Sequence, residues 1–87
     1  MRGLTPEQLL VIADEVCTAH GERVRDFSAL SAAAAVSTAS FHGIRVHDSP
    51  TAMAQQVAAT ITALAPLSAR NEQLAAATRR ILLHLNA

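Results

Sequence analysis

The stretch Ala65-Pro66-Leu67-Ser68-Ala69-Arg70-Asn71-Glu72-Gln73 separates two long segments that have the apolar periodicity of α-helices. Pro66 has no backbone N–H and its ring obstructs a continuing helix, so the first segment is predicted to end at Ala65. The second segment repeats apolar side chains with a period of about 3.6 residues, at Leu74, Ala77, Thr78, Ile81, Leu82 and Leu85. We therefore expect two antiparallel helices joined by a short loop.

The predicted loop opens onto the N-terminus of the last helix. Unpaired N–H groups and the positive end of the helix dipole make such a place favourable for anions. Ser68, Arg70 and Asn71 are therefore candidates for binding a small anionic ligand. The alternatives are that Ser68 caps the helix, and that Arg70 pairs with Glu72 or Glu7 or is simply solvated.

Length and composition restrict the class of protein. The chain has 87 residues, of which 51% are apolar, and its seven basic and seven acidic residues give a formal net charge of zero. We expect a single domain, 1–87, and a balanced charge argues against a broad nucleic-acid surface. No apolar run reaches the 18–20 residues of a membrane span. A lone Cys17 and the absence of a signal-peptide pattern favour a cytoplasmic protein, with Cys17 in the core.

Local signals predict four helices, near 5–20, 27–36, 50–65 and 68–86. Thr5 and Pro6 suit the start of the first helix, Gly21 its end, and Asp26 and Ser49 the starts of the next two. The inward faces of the first three helices are predicted to carry Leu9, Ile12, Ala13, Val16, Cys17 and His20, then Phe27, Leu30, Ala34 and Val36, then Met53, Val57, Ile61 and Leu64. Between residues 37 and 48 we expect a loop or a two-stranded flap and no larger sheet.

In the context of these four helices, the stretch from Ala65 to Gln73 resembles the core motif of the Fic/Doc (Fido) family, His-Pro-Phe-x-Asp/Glu-Gly-Asn-Gly/Lys-Arg. In that family the motif is followed by an Ala-rich helix ending in Leu-Asn-Gly. Pro66, Asn71 and the closing Leu83-His84-Leu85-Asn86-Ala87 match that pattern. The segments Leu4–Leu10, 24–32 and Phe41-His42-Gly43 resemble parts of Doc-type toxins. The resemblance implies an all-α, four-helix Fido-like (Doc-like) domain that is shortened at its C-terminus, with a short flap or hairpin before the third helix.

The resemblance also implies a degenerate motif without a catalytic residue. Ala65 stands for the catalytic His, Ala69 for the metal-binding carboxylate, and Gln73 for the Arg that contacts phosphates. Leu67 replaces the Phe, while Arg70 and Glu72 replace residues around the phosphate loop, and Arg70 is expected to require a negative φ. Loss of a general base alone costs about 10²–10⁴-fold in rate. We therefore expect no AMP or phosphate transfer, no bound metal and no cofactor.

Two functions remain open. The first is a catalytically degenerate Doc/Fic-like protein that acts through protein–protein contacts, for example as a toxin–antitoxin component. Without the family's C-terminal tail, Leu82 or Leu85 would be uncovered, which favours a protein partner or a homo-oligomer. The second is an enzyme with new chemistry in the former cleft, for example in a biosynthetic pathway.

The flap contributes the remaining candidate residues. The family's flap lays a target segment beside the motif, so Phe41, His42, Gly43 and His47 are possible contacts for a ligand. Under the second function the two histidines would converge with residues 68–73 at one cleft. The simpler alternative is that both histidines are polar flap residues in water. A further alternative is that one of them has an acid–base role, because an imidazole can change its charge near neutral pH.

Overall fold

The computed structural model describes residues 1–41 and 43–87. Its elements are α1 (Pro6–His20), α2 (Phe27–Ser37), β1 (Ser40–Phe41), β2 (Ile44–Arg45), α3 (Pro50–Leu64) and α4 (Asn71–Leu85). The prediction of a small all-α fold with four helices is confirmed. The flap is a two-stranded antiparallel pair in which Ser40 lies opposite Arg45, so its predicted size is confirmed as well.

The first helix begins and ends as its local sequence predicts. The Thr5 hydroxyl accepts a hydrogen bond from the Gln8 N–H at 3.1 Å, and the Gln8 side chain accepts one from the Thr5 N–H at 2.9 Å. This capping box satisfies two N–H groups that the helix leaves unpaired. Gly21 ends the helix with φ +68°, a conformation that glycine adopts without steric cost.

The next two helices also start at their predicted caps. The Asp26 carboxylate accepts a hydrogen bond from the Ala29 N–H, and the Ser49 hydroxyl accepts one from the Ala52 N–H. Such caps stabilise a helix by about 1 kcal/mol each. Pro50 follows Ser49 at the first helical position, where a missing N–H costs nothing.

The two helix boundaries beside the motif loop differ from the prediction, and the remaining boundaries agree with it to within one residue. α3 ends at Leu64, because Ala65 adopts a left-handed conformation with φ +48° before Pro66. α4 begins at Asn71 and not at Ser68, after a second left-handed residue, Arg70. The loop between the helices is therefore longer than the sequence pattern indicates.

The helices form a closed ring. Close approaches of Cα atoms join α1 to α2, α2 to α3, α3 to α4 and α4 to α1, and within the described chain no Cα atoms of diagonally opposite helices come within 8 Å. Each helix runs opposite to its neighbours, since residues 22–26 pair with residues 65–68 at one end of the bundle. We call this the clasp end. The flap between residues 37 and 48 lies at the other end, the flap end.

The core lies inside this ring. Its fully or almost fully buried members are Leu4, Leu9, Ala13, Cys17, Ala29, Leu30, Ala33, Ala34, Met53, Ala54, Val57, Ile61, Leu67, Leu74, Ala75 and Leu82. The expectation that Leu82 is uncovered is wrong, because α4 turns it between its neighbours, and Leu85 is half-buried. Phe27 and Leu64 were expected inside but are exposed, since each lies at the very end of its helix where packing stops. Ile81 and His20 are also exposed.

One core side chain lacks a partner. The Thr78 hydroxyl is buried and has no hydrogen-bond partner within the described part of the chain. Burying an unpaired hydroxyl costs about 1–3 kcal/mol.

The N-terminal segment closes the flap end. The Leu4 N–H donates to the buried Ser37 hydroxyl at 2.8 Å, and the Arg2 N–H donates to the Asn86 side chain at 2.6 Å. Gly3 passes so close to α2 that a Cβ atom would lie 2.6 Å from the Ser37 carbonyl oxygen. Within the described residues, no helix is both long and apolar enough to cross a membrane.

Candidate functional site

The motif loop is paired along its backbone with the connection between α1 and α2. Leu67 forms an antiparallel bridge with Val24. The Pro66 carbonyl oxygen accepts hydrogen bonds from the N–H groups of Arg25 at 2.7 Å and Asp26 at 3.0 Å. We call residues 22–26 and 65–71 together the clasp. Pro66 and Leu67 are buried in it, and the Pro66 carbonyl oxygen has its partners in the connection between α1 and α2, as a buried polar group requires.

Ser68 joins the clasp with its side chain and its backbone. Its hydroxyl accepts a hydrogen bond from the Arg23 N–H at 3.1 Å and donates one to the Glu22 carboxylate at 2.6 Å. Its own N–H donates to the Arg23 carbonyl at 2.9 Å. The prediction that Ser68 caps the last helix is wrong, because that helix starts three residues later and Ser68 bonds to the first connection.

Asn71 closes the loop onto itself. Its side-chain oxygen accepts a hydrogen bond from the Leu67 N–H at 2.9 Å, and its side-chain nitrogen donates to the Leu67 carbonyl at 3.2 Å. The single amide therefore satisfies both backbone groups of a buried residue. Asn71 has a structural task here, and its two polar atoms already have partners.

Arg70 and Ala65 hold the two bends of the loop. Arg70 has φ +66° and is the residue before α4, but its side chain makes no cap to the helix. The expectation that Arg70 needs a negative φ is wrong, because the loop requires a left-handed residue at this point. Ala65 accepts a hydrogen bond from the Arg25 guanidinium at its carbonyl oxygen, at 2.9 Å. The left-handed conformation costs a non-glycine residue roughly 1–2 kcal/mol.

A shallow cleft of about 450 Å³ lies at the start of α4, which we call the motif cleft. It is lined by Thr62, Ala65, Arg70, Asn71, Glu72 and Gln73. Its charged members are one cation, Arg70, and one anion, Glu72, both exposed. Glu72 in the first helical turn already complements the helix dipole, an effect worth about 0.3–1 kcal/mol. The exposed Ala69 and the clasp residue Ser68 do not line this cleft.

The flap end holds the second candidate region. A cleft of about 470 Å³, the flap cleft, is lined by Val36, Ala39, Val46, His47, Asp48, Ala52 and Gln56. The His47 imidazole lies 2.9 Å from the Val36 carbonyl oxygen through Nε2. A carbonyl can only accept, so Nε2 carries the proton and fastens the flap to α2. Gly43 forms the turn with φ +79°.

Of the four predicted flap contacts, the structure fully describes Gly43 and His47. His42 and the side chain of Phe41, which the sequence marks as possible contacts, lie outside the described part of the structure. Gly43 and His47 also line a cavity of about 260 Å³ with Arg45 and Met1. None of residues 65–73, which form the motif loop and the start of α4, lines either of these two cavities.

The structure does not bring His47 to the motif loop. The flap precedes α3 and the loop follows it, and α3 has 15 residues. At a rise of 1.5 Å per residue, the two regions are separated by about 22 Å along the helix. The expected convergence of His47 with residues 68–73 at one cleft is therefore wrong.

Two titratable groups near the clasp are perturbed. The pKa of the Asp26 carboxyl is lowered, first by the hydrogen bond from the Ser28 hydroxyl and then by the Ala29 N–H. Burial, followed by the nearby carboxylates of Asp14 and Glu22, raises the pKa of the Cys17 thiol. A raised pKa keeps the thiol protonated and weakly nucleophilic, which agrees with a structural Cys17. Among the described residues no three His, Cys, Asp or Glu side chains form a cluster that could hold a metal ion.

Residues 22–25 are the part of this region that sequence reasoning missed. They carry no apolar period, and the resemblance of segment 24–32 to Doc-type toxins did not lead to a predicted pairing with the motif loop. Their role depends on backbone pairing with a segment some forty positions later, for which a single sequence contains no signal.

The chain was compared with models of known protein families, with curated proteins and with solved structures, and none of the three comparisons gave a match.

Proposed function

We propose that this protein is a catalytically degenerate, Doc/Fic-like protein that acts through protein–protein contacts, as a component of the toxin–antitoxin type. The observation that carries the proposal is the flap cleft, a concave surface lined by the strongly exposed Val46. That surface lies at the end of the bundle away from the motif loop.

The flap presents apolar side chains that the fold does not need. Ile44 is 71% exposed and Val46 is 58% exposed. Ile44 is in β2, and Val46 directly follows that strand. Val46 lines the flap cleft together with Val36 and Ala52. Exposed apolar side chains beside a polar rim, here Asp48 and Gln56, are typical of protein interaction sites.

The conformation of Arg70 supports the resemblance to the Fic/Doc motif. The family motif has Gly at this position, and a left-handed residue is where glycine is favoured. This chain has a left-handed bend at that position, with φ +66°, although the residue is Arg. This agrees with a loop that descends from a glycine-containing motif and has changed its side chains.

The hydrogen bonds of the clasp support the loss of catalysis. The Ser68 hydroxyl and the Asn71 amide both bond to the chain itself. A phosphate would have to displace these contacts, and Glu72 would repel it at the motif cleft. The position of the family's general base is Ala65, which has no titratable group.

The alternative, an enzyme with new chemistry in the former cleft, has less support. Its strongest acid–base candidate in the described structure, His47, is about 22 Å from the motif cleft. A general base must reach its proton across about 3 Å or through one water molecule. Arg70, Glu72 and Gln73 would have to do the chemistry without it.

A comparison of captured proteins tests the proposal. Tagged full-length protein is purified from its native host beside two variants, Ile44→Arg/Val46→Arg at the flap and Ala59→Arg/Ala63→Arg on the exposed side of α3. Ala59 lies about one turn and Ala63 about two turns beyond Gln56, the last α3 residue that lines the flap cleft, so the α3 pair adds the same charge outside the cleft. Quantitative mass spectrometry should show a specific protein lost from the flap variant and retained by the α3 variant. Equal capture by all three proteins would contradict the flap cleft as the contact surface.

A further inference from the structure

The outer face of α1 is acidic. Glu7, Asp14 and Glu15 are exposed there, and α1 contains no Lys or Arg. Val11 lies between them along the same face and is 62% exposed. Glu7, Val11 and Glu15 follow each other at four-residue spacing, so they form one row along the helix. We call Glu7, Val11, Asp14 and Glu15 the acidic face.

The outer face of the second half of α4 is basic. Arg79, Arg80 and His84 are exposed there, and Ala76 is the exposed residue one turn before Arg80. After Glu72, α4 contains no acidic residue. Ala76 is small and leaves room for a neighbouring helix to approach closely. We call Ala76, Arg79, Arg80 and His84 the basic face.

The two faces lie side by side on the bundle. α1 and α4 are neighbours in the ring and run in opposite directions. Val11 is the sixth residue from the start of α1, and Arg80 is the sixth residue from the end of α4. In antiparallel helices these two positions fall at about the same height, so the rows of opposite charge are level with each other.

Such an arrangement is self-complementary. A two-fold axis parallel to the helices, passing between α1 and α4, would place each α1 against the α4 of a second copy. Arg79 and Arg80 of one copy, at the height of Val11 of the other copy, would then lie within about one helical turn of Glu7 and Glu15 of that other copy. Every favourable contact would occur twice, as in any isologous interface.

We propose that the acidic face of α1 and the basic face of α4 form a homodimer interface, with α1 of each copy docked on α4 of the other. A second copy fits better than a singly charged partner. A basic partner would match only α1, and an acidic one only α4, whereas a second copy matches both at once. This interface is separate from the flap cleft, so it is independent of the proposed function.

The dimer should be weak and sensitive to salt. Two helices of about 22 Å in length and about 10 Å in width each would bury on the order of 1,000 Å² in total, near the lower limit for a specific interface. Exposed ion pairs are individually worth at most about 1 kcal/mol, and they are screened within about 8–10 Å at physiological ionic strength. Val11 supplies the main apolar contact.

Sedimentation velocity over a range of protein concentrations tests the dimer with charge reversals. Variant one carries Arg79→Glu and Arg80→Glu, and variant two carries Asp14→Arg and Glu15→Arg. Each variant should be monomeric, with a dissociation constant raised at least about a hundredfold, because both helix contacts become repulsive. Mixed in equal amounts, the two variants should dimerise again, since both helix contacts are then complementary.

Two further results decide the proposal. The full-length protein should dimerise at low salt and dissociate as salt rises, and the flap variant Ile44→Arg/Val46→Arg should dimerise as the unchanged chain does. A monomer at every concentration and salt would overturn the proposal. A dimer that persists in either charge-reversal variant would also overturn it. So would a mixture of the two variants that remains monomeric, or a loss of the dimer in the flap variant. A circular dichroism spectrum confirms that each variant is folded.

Discussion

The two ends of this bundle use their residues in opposite ways. At the clasp end, the polar residues that were candidates for binding a ligand form hydrogen bonds within the chain: Ser68 with Glu22 and Arg23, and Asn71 with Leu67. At the flap end, where the sequence has no motif match beyond a short turn, Ile44 and Val46 are exposed to solvent. A loop that resembles a catalytic motif thus serves here as a structural joint, while these exposed apolar side chains lie at the opposite end of the bundle.

The largest difference between the ends should appear when one apolar side chain is truncated at each. Leu67 is fully buried in the clasp, so Leu67→Ala should lower the free energy of unfolding by about 2–5 kcal/mol. Ile44→Ala at the exposed flap should change it by less than about 0.5 kcal/mol. Urea unfolding followed by circular dichroism measures both. Similar losses at the two sites would mean that the clasp is not the stabilising end.

The amide of Asn71 should matter more than its exposed neighbours. Asn71→Ala leaves the Leu67 N–H and carbonyl without their partners, so we expect a loss of about 1–3 kcal/mol in the free energy of unfolding. Gln73→Ala, two residues later on the exposed side of α4, is the matched control and should be nearly neutral. If both variants unfold at the same urea concentration, Asn71 does not hold the loop.

Substitutions at the left-handed residues of the two ends, Arg70 and Gly43, should change the free energy of unfolding by smaller amounts and in opposite directions. Arg70 has φ +66° and Gly43 has φ +79°, with nothing within 4 Å of a Cβ atom at Gly43. Arg70→Gly should therefore stabilise the protein by about 0.5–1 kcal/mol, and Gly43→Ala should destabilise it by a similar amount. Thermal unfolding of the two variants gives the sign of each effect. A destabilised Arg70→Gly would show that the Arg70 side chain contributes contacts of its own.

The smallest expected effect is the acid sensitivity of the α2 cap. The pKa of Asp26 is lowered in the folded protein, chiefly by the Ser28 hydroxyl, so it lies below the value of about 3.9 for an unfolded aspartate. The stabilisation is therefore present above that value and is lost as pH falls through the folded pKa.

Ser28→Ala removes the main cause of that shift and should flatten the fall of the unfolding temperature below about pH 4. Asp26→Asn keeps a neutral cap and should flatten the fall further. The measurement is differential scanning calorimetry at a series of pH values. Profiles that coincide for all three proteins would exclude a contribution of Asp26 to acid sensitivity.

The sequence predicted what depends on neighbouring residues and missed what depends on distant ones. Thr5 with Gln8, Asp26 and Ser49 are local cap signals, and the structure has all three helix starts where they indicate. Ser68 looked like a further cap, but it pairs with Arg23, a contact that no local pattern specifies. Phe27 was placed inside because α2 is rich in Ala, so its faces differ little in polarity and the period is a weak guide. The separation of the flap from the motif cleft follows from the length of α3, once the loop is known to lie beyond its end.

The clasp residues bond to the chain itself, and we propose that the clasp supports no nucleotide-transfer chemistry. The most direct test incubates the full-length protein with ATP labelled at the α or the γ phosphate, Mg²⁺ and a lysate of the native host. No protein should carry label above the background of the lysate alone. Labelling that requires the added protein and disappears with the double variant Arg70→Ala/Glu72→Ala, whose side chains are exposed at the motif cleft, would contradict the claim.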